Sequence, residues 1–455
     1  MKKVLAFFMA AAIILSIAGC SQAAAPSGSS AAPADGSSAA PAENKDDILL
    51  KIWGGVPAEY GPQDMIDYFN AEFKDKGVQA EYVRFVNDET GNMKLETTLL
   101  GGGDIDIYMT YTASNLVKRG TGSMALDVSD KLTAINYDPI TELGSAVEPY
   151  IIDGKVYGLP TKMENYYILA NVDMFEEAGI PLPTSWTYDE FYETAKKLTK
   201  GEGQDKVYGM YWNTNMEIFR PSYIAQTVLG ENFLYKEGGT ESNLDNPELI
   251  RINQLVADMM LKDRTAVTHT DNVTQKLSVE SMFLGGKAAM SLGVWSIRSI
   301  KDLEKYPHDF ETAYLPVPEP EAGASKYAIG EGVIGDFMCI NPKSANVDAA
   351  FDFLVWYVNG GMLPMAPYGR IPLTTRVSTE DKLEAYMKNG EGILHGETVS
   401  KFLENKPNMA VSTQTNKLAE IQQVYNEALE SIFTGQQDAA TALTAAKAKA
   451  DGFLK

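Results

Sequence analysis

The chain has 455 residues, and its 61 acidic side chains against 39 basic ones give a formal net charge of −22. A surface this acidic argues against nucleic acid as a partner, because binding to phosphates requires clustered Lys and Arg. Hydrophobic residues make up 45% of the chain and charged residues 22%. These proportions indicate a globular protein, and the length suits two domains of about 150 to 200 residues each.

The first twenty residues have the pattern of a secretion signal. Met1-Lys2-Lys3 carries positive charge, and the apolar run from Val4 to Ala18 is too short to span a bilayer stably. The run closes on small residues before Cys20, and this junction resembles the lipobox of bacterial lipoproteins. We predict a signal peptide at 1–19 and a lipidated N-terminus at Cys20. The alternative is an ordinary signal peptide with an incidental cysteine.

Residues 20–46 are predicted to be the lipidated cysteine and a disordered tether. Between Ser21 and Ala42 the chain is almost wholly Ala, Ser, Pro and Gly, which bury too little apolar surface to fold. At about 5 to 6 Å × √n, such a tether reaches about 25 Å. Acyl chains on Cys20 supply the two hydrophobic signals needed for stable anchoring, which predicts a position on the cell membrane facing the extracellular side.

The folded part is predicted to begin near residue 47 with a β-α-β-α-β pattern. Its elements are a strand at Ile48–Trp53, a helix at Met65–Phe73, a strand at Gln79–Phe85, a helix at Met93–Leu100 and a strand at Ile105–Met109. Alternation of this kind predicts an α/β fold with a parallel sheet flanked by helices. Ligands of such sheets bind beyond the carboxyl ends of the strands.

Helix-start signals recur further along the chain. Thr187 and Glu190 form a capping box, with Trp186 in a hydrophobic-staple position that accounts for it without a ligand. Asn246-Pro247 predicts a cap followed by a first-turn proline, and a helix is predicted at Asp348–Val358.

Six sequence blocks follow one another in a recognisable order. They are Met93–Ile107, Asp153–Pro160, Leu169–Ile180, Phe283–Trp295, Leu315–Pro318 and Gly369–Pro372. In this order they resemble the extracellular solute-binding family that includes maltose- and oligosaccharide-binding proteins. The most specific block is Asp153-Gly154-Lys155-Val156-Tyr157-Gly158-Leu159-Pro160, at the family's first crossover between lobes. Departures are small: Ile105 replaces a usual proline and Ala170 a usual tyrosine.

The resemblance implies a two-lobed periplasmic-binding-protein fold of type II. Each lobe is a sheet flanked by helices, and crossover hinge strands let the lobes close over a ligand like a clamp. A chain of this length should also divide into more than one core. The predicted boundaries are 47–160 and 317–368 for lobe 1, and 161–316 and 369–455 for lobe 2.

The resemblance also implies a function, namely the extracellular substrate-binding subunit of an ABC importer that captures a sugar or oligosaccharide. Such a subunit is a monomer that docks onto ABC permease subunits, is not an enzyme and needs no cofactor, because separate subunits hydrolyse ATP. Three alternatives stay open. In the first, the same fold binds a solute other than a sugar, and in the second it acts as the sensor subunit of a signalling system. In the third, the chain is a surface-anchored glycan hydrolase, because the abundant acidic residues could include a catalytic pair of carboxylates.

A sugar site needs aromatic platforms for C–H faces and polar groups for hydroxyls. Trp53 and Tyr111 follow strands, Trp212 follows the strand-like Val207–Tyr211, and the family resemblance implies that Trp295 stacks on a sugar ring. The alternative for each aromatic residue is core packing, and for each charged residue a surface position or an ion pair. The predicted ligand-binding residues are Trp53, Tyr111, Glu164, Tyr167, Trp212, Trp295, Tyr368 and Arg370.

Other chemistries find little support. Gly101–Gly103 leaves a helix and enters a strand, which favours a structural turn over a phosphate loop. His269, His308 and His395 lack metal-ligand spacing, so no metal site is predicted. Cys339 lies in an apolar stretch and is predicted to be a core residue, not a catalytic thiol.

Overall fold

The computed structural model describes residues 48–455 except for residue 164, 215–220, 231–232, 237, 294–295, 328–333 and 406–416. The described residues form nine β-strands and sixteen α-helices. The strands are β1 Ile48–Gly54, β2 Val78–Arg84, β3 Ile107–Thr110, β4 Leu159–Met163, β5 Tyr167–Asn171, β6 Met290–Gly293, β7 Thr312–Leu315, β8 Ile334–Ile340 and β9 Ile371–Pro372.

The first eight α-helices are α1 Pro62–Phe73, α2 Glu89–Leu100, α3 Ala113–Thr121, α4 Ser129–Ala134, α5 Pro139–Leu143, α6 Val172–Glu177, α7 Tyr188–Leu198 and α8 Gln226–Leu229. The other eight are α9 Pro247–Leu261, α10 His269–Gln275, α11 Ile297–Lys301, α12 Val347–Trp356, α13 Thr379–Met387, α14 Gly396–Glu404, α15 Leu418–Phe433 and α16 Ala439–Phe453. Short 3-10 helices lie at Ala58–Tyr60, Lys74–Lys76, Ser145–Tyr150, Gly203–Asp205, Pro221–Ala225 and Leu363–Tyr368, and π-helical turns at Glu280–Leu284 and Tyr357–Gly361. Within the described ranges, no helix combines the length and the apolar character needed to cross a membrane.

The larger sheet has the strand order β2-β1-β3-β8-β4-β9. The predicted β1-α1-β2-α2-β3 pattern is confirmed, and β1 pairs in parallel with β2 and β3. The parallel pairing predicted for these three strands is thus confirmed, whereas β8, which lies outside the predicted pattern, pairs antiparallel with β3 and β4. The reason is topological: β8 enters this sheet from the other one and therefore runs opposite to β3.

The smaller sheet has the strand order β6-β5-β7 and is antiparallel throughout. The predicted strand at Val207–Tyr211 is not part of it. Instead this segment runs beside β6 through single bridges, with Tyr208 opposite Ala288 and Tyr211 opposite Ser291 in parallel sense.

Two lobes result, each with its own hydrophobic core. Leu50, Phe69 and Phe353 are fully buried in the core of the larger sheet, whereas Phe175 and Phe283 are fully buried around the smaller one. Burying such side chains stabilises each lobe by about 1.5 to 3 kcal/mol per residue. The chain passes between the sheets after β4 and after β7, and after β9 it continues into the C-terminal helices, of which α14 packs against β7. The exact lobe boundaries stay a prediction.

Local signals for helix starts are realised as expected. The Thr187 hydroxyl accepts a hydrogen bond from the Glu190 amide, and the Glu190 carboxylate accepts one from the Thr187 amide. The Trp186 and Phe191 rings lie 5.2 Å apart, which completes the staple. Asn246 caps α9, whose first residue is Pro247. These contacts fix α7 and α9 in lobe 2.

Candidate functional site

One edge of the larger sheet gathers the strand ends nearest to the crossovers. Here β4 ends before the first crossover, and the antiparallel β8 begins. Thr110, the last residue of β3, pairs with Phe337 in the middle of β8. Because β1 is parallel to β3, Gly54 also lies at this edge. Residues that follow these strands, such as Gly55 and Tyr111, therefore lie where the chain passes into lobe 2.

The smaller sheet has a corresponding edge. Tyr167 begins β5 directly after the first crossover, and it pairs with Gly293 at the end of β6. The segment that contains Tyr211 runs parallel to β6, so its continuation through Trp212 to Thr214 reaches the same edge. Each lobe thus presents a set of strand ends and loops at its crossover edge.

A pocket with an empty volume of about 320 Å³ lies at the crossover edge of lobe 1. The lining residues are Ile52, Val56, Pro62, Met65, Tyr82, Met109, Tyr111, Asp336, Met338, Tyr357, Met365 and Arg370. Most are apolar or aromatic, with a single carboxylate and a single guanidinium among them.

Two tyrosines fix the loop beside this pocket. The Tyr111 hydroxyl accepts a hydrogen bond from the Gly55 amide at 2.5 Å, and the Tyr82 hydroxyl donates one to the Val56 carbonyl at 2.7 Å. Burial raises the pKa of both phenols well above the usual value. Both hydroxyls are therefore neutral at physiological pH, and the Tyr82 proton is the one donated to Val56.

A second pocket, with an empty volume of about 720 Å³, lies in lobe 2 between the loop at Thr214, α10 and α15. Most of its lining residues are polar, and the buried Phe433 lies at its base among the core residues of lobe 2. The lining residues are Thr214, His269, Gln423, Asn426, Glu427, Leu429, Glu430 and Phe433. Sequence reasoning missed the α15 residues, because polar positions on an amphipathic helix look the same whether they meet solvent or a ligand.

A buried hydrogen-bond network positions the loop of the lobe 2 pocket. The Tyr211 hydroxyl donates to Asn272 Oδ1 at 2.8 Å, and Asn272 Nδ2 donates to Thr214 Oγ1 at 2.8 Å. Thr214 Oγ1 also lies 2.7 Å from His269 Nδ1. Asn272 is fully buried, so it holds the end of this segment rigidly against α10.

Some predicted ligand-binding residues lie at the crossover edge of lobe 1. Tyr111 and Arg370 both line the lobe 1 pocket, and Trp53 is half-buried near the end of β1. Tyr368 is half-buried, and its hydroxyl donates to Asp64 at 3.1 Å. Arg370 pairs with Asp336, which is the ion-pair alternative considered for it. Ligand contact stays a prediction for all of these residues.

The predicted aromatic residues of lobe 2 are packed within its core. Tyr167 is 3% exposed and stacks on Tyr314 with a centroid distance of 4.0 Å. Trp212 is 1% exposed and lies edge-on to Phe191. These contacts match the core-packing alternative, and ligand contact for both stays a prediction. Glu164 and Trp295 lie outside the described residues.

The second crossover is fixed where it leaves lobe 2. The indole of Trp186 donates to the Pro316 carbonyl at 2.7 Å, so this staple residue also anchors the crossover. The Glu319 carboxylate accepts hydrogen bonds from the amides of Gly323 and Ser325. Burial acts to raise the pKa of Glu319, but these amides outweigh it and hold the pKa below its usual value. Glu319 is therefore ionised at neutral pH and organises the loop.

Cys339 lies in β8 and is fully buried, and burial raises the pKa of its thiol to about 11. Because the thiolate is the reactive form, both factors suppress its chemistry. We expect iodoacetamide near neutral pH to leave Cys339 unmodified in the native protein and to alkylate it after denaturation in guanidinium chloride. Mass spectrometry of the Cys339 peptide measures both. Equal labelling rates in the two states would contradict this burial.

The described residues were also compared with the requirements of a metal site. Across the part of the chain that the structure describes, no three His, Cys, Asp or Glu side chains come together in an arrangement that could hold a metal ion.

Comparison with known proteins places this architecture in context. Residues 64–390 match the family model described as bacterial extracellular solute-binding protein. The arabinooligosaccharide-binding protein of Bacillus subtilis (strain 168) is 23% identical over 409 residues, which cover 86% of this chain and 87% of that protein. The galactooligosaccharide-binding protein of the same organism is 22% identical over 471 aligned positions, which cover 100% of this chain and 98% of that protein.

A solved structure shows the same fold. The structure of a sugar transporter from Rhizobium etli in an open conformation superposes with a TM-score of 0.69 at 22% identity, over 90% of this chain and 100% of that one. The predicted two-lobed periplasmic-binding-protein fold of type II is confirmed.

Proposed function

The chain belongs to the bacterial extracellular solute-binding protein family, and from this membership we propose that it captures a sugar or oligosaccharide for an ABC importer. The observation that carries the proposal is the pair of pockets at the crossover edges of the two lobes. A solute held between these edges contacts both lobes at once, as closure of a two-lobed clamp requires.

The lining of the two pockets supports a sugar as the solute. Sugars present apolar C–H faces and many hydroxyl groups. His269 supplies a half-buried aromatic ring in lobe 2, while Gln423 and Asn426 supply amides that both donate and accept hydrogen bonds. The tyrosines of lobe 1 combine the two properties in one side chain. The names of the two Bacillus relatives agree with this chemistry.

The remaining parts of the proposal concern location and partners. Cys20 carries the lipid, residues 20–46 form the tether, and the folded part faces the extracellular side of the cell membrane. Lobe 1 comprises 47–160 and 317–368, and lobe 2 comprises 161–316 and 369–455. The closed form docks onto the permease subunits, and catalysis takes place elsewhere in the importer.

A thermal-shift screen tests the proposed ligand class. A solute that binds only the folded state stabilises it by about 2.7 kcal/mol at a hundred times Kd. We expect at least one mono- or oligosaccharide to raise Tm, and we expect amino acids and polyols in the same panel to leave it unchanged. Isothermal titration calorimetry with the active sugar then gives the stoichiometry, expected to be one solute per chain.

Two results would contradict the proposal. If an amino acid or polyol raises Tm while no sugar does, the sugar assignment is wrong. If an oligosaccharide is cleaved during incubation, as judged by chromatography of the products, the chain is a hydrolase and not a binding protein.

A further inference from the structure

Asp336 has an unusual backbone conformation in the middle of β8. Its φ is +52°, in the left-handed region, although strand residues on both sides pair with β4. Aspartate tolerates this region better than most residues, but the conformation is still uncommon and persists only where surrounding contacts hold it. Asp336 is 6% exposed, so those contacts lie inside the protein.

The Asp336 side chain contacts two cations from different strands. Its Oδ2 accepts a hydrogen bond from Arg370 Nε at 3.1 Å, and its Oδ1 lies 3.8 Å from Lys162 Nζ. Both cations are at least nine-tenths buried. The Asp336 carbonyl also accepts a hydrogen bond from the Thr161 hydroxyl at 2.7 Å.

Each partner belongs to a different crossover. Lys162 lies on β4, which leads into the first crossover, and Asp336 lies on β8, which follows the second. Arg370 immediately precedes β9, after which the chain returns to lobe 2. β8, β4 and β9 are neighbours in the larger sheet, and the Asp336 carboxylate adds an ionic link among the three segments about which the lobes must rotate.

Such a link is stiff. In a low-dielectric interior, separating a carboxylate from its cations leaves uncompensated charge, which is strongly unfavourable. Rotation of one crossover independently of the others would require this separation. The cluster thus favours motion of all three crossovers together.

We propose that Asp336 is a positioning residue that couples the three crossovers and so sets the equilibrium between the open and closed lobes. The coupling itself follows from the fold, while its effect on affinity rests on the proposed function. Apparent affinity falls in proportion to the population of the binding-competent arrangement. Loss of the carboxylate should therefore weaken solute binding. Because Asp336 also lines the lobe 1 pocket, the solute-free lobe distances separate a loss of coupling from a lost solute contact.

Two variants separate charge from backbone conformation. Asp336→Asn keeps the shape and tolerates the left-handed region, but it removes the charge. Asp336→Gly also removes the charge and relieves the backbone strain. If the carboxylate matters, both variants show the same defect, and if backbone strain matters, Asp336→Gly behaves differently from Asp336→Asn.

The matched control is Asp106→Asn. Asp106 is a buried carboxylate of the same lobe, 4% exposed, that accepts a hydrogen bond from the Lys51 amide at 2.8 Å and lies away from the crossovers. We expect this variant to lower Tm while leaving lobe motion and affinity unchanged.

The experiment measures the distance between two spin labels, one at Thr97 on α2 and one at Glu193 on α7. Both positions are exposed, and they lie on different lobes. The protein is full-length, with Cys20 replaced by Ser. Without solute, both Asp336 variants should broaden the distance distribution, and Asp106→Asn should not. With a solute that raises Tm, both should raise Kd by about tenfold. Distributions and Kd values equal to wild type, or a defect confined to one Asp336 variant, would overturn the proposal. If wild type binds no solute, the proposed function fails, and the solute-free distances still test the coupling.

Discussion

Replacement of Arg119 by Met is expected to lower the free energy of unfolding by about 3 kcal/mol, because it removes one partner from a buried charged network. Arg119 is fully buried on α3. Its Nε lies 3.4 Å from the Glu96 carboxylate, and its two terminal nitrogens donate to Thr110 Oγ1 at 2.8 Å and to Asn92 Oδ1 at 2.6 Å. Methionine fills much of the volume but leaves these acceptors without their donor.

Lys118→Met is the matched control. Lys118 is the neighbouring residue and pairs with the same carboxylate at 2.7 Å, but its side chain is 59% exposed. An exposed ion pair contributes only about 0 to 1 kcal/mol, so the control should change stability little. Urea denaturation of both variants measures the difference. If the two substitutions cost the same, burial does not give this network its strength.

The Arg119 network also affects the candidate site. Thr110 ends β3, and the next residue is Tyr111, whose hydroxyl accepts the Gly55 amide. Without the hydrogen bond from Arg119 to Thr110, the end of β3 is held in place by one contact fewer. We therefore expect Arg119→Met to raise Kd for the solute as well as to lower stability, even though Arg119 itself is inaccessible.

Local structure was predictable wherever neighbouring residues determine it. The capping box of Thr187 and Glu190 needs only residues three apart, and the Asn246-Pro247 cap only two adjacent ones, so both signals were readable before any tertiary contact was known. The β1-α1-β2-α2-β3 alternation likewise depends on short-range hydrophobic period.

Long-range arrangement was not predictable in the same way. The antiparallel insertion of β8 between β3 and β4 depends on the path of the chain through the other lobe, more than 200 residues after β3 by sequence number. The left-handed conformation of Asp336 depends on partners at 162 and 370. Neither feature leaves a local pattern.

The candidate site shows the same division. The rule for α/β sheets is topological, so it predicts the position of Tyr111 beyond a strand end, and Tyr111 does line the lobe 1 pocket. Residue type alone does not distinguish an aromatic platform from an aromatic core, and for Trp212 and Tyr167, both buried, ligand contact stays a prediction. Arg119 and Lys118 are adjacent cations in the sequence, yet one is fully buried and the other is exposed.

The second large effect is expected at Gly209, which lies where α7 packs directly against the segment leading to the lobe 2 pocket. A Cβ at this position would lie 1.9 Å from the Ala195 carbonyl oxygen and 2.7 Å from its Cα. Both are backbone atoms, so no side-chain rotation relieves the overlap. We expect Gly209→Ala to lower the free energy of unfolding by about 3 kcal/mol, at the upper end for overpacking in a core.

Gly452→Ala is the control for the same substitution in open space. A Cβ at Gly452, on α16, meets no atom within 4 Å, and its backbone is helical. Alanine is favoured over glycine in a helix by up to about 1 kcal/mol, so this variant should be neutral or slightly more stable than wild type. Urea denaturation gives the free energy of unfolding of both variants. Equal values for the two would show that α7 shifts to accommodate the new Cβ at Gly209 without loss of stability.

Gly209→Ala should also alter solute binding, because the affected segment positions the lobe 2 pocket. The Gly209 amide donates to the Thr199 hydroxyl at 3.0 Å, and three residues after Tyr211 the chain reaches Thr214, which is bonded to Asn272. Displacement of Gly209 away from α7 moves this loop relative to α10. We expect a higher Kd in calorimetric titration with the solute that raises Tm, measured at a temperature where the variant is fully folded. Unchanged affinity together with reduced stability would show that the solute does not depend on the Thr214 loop.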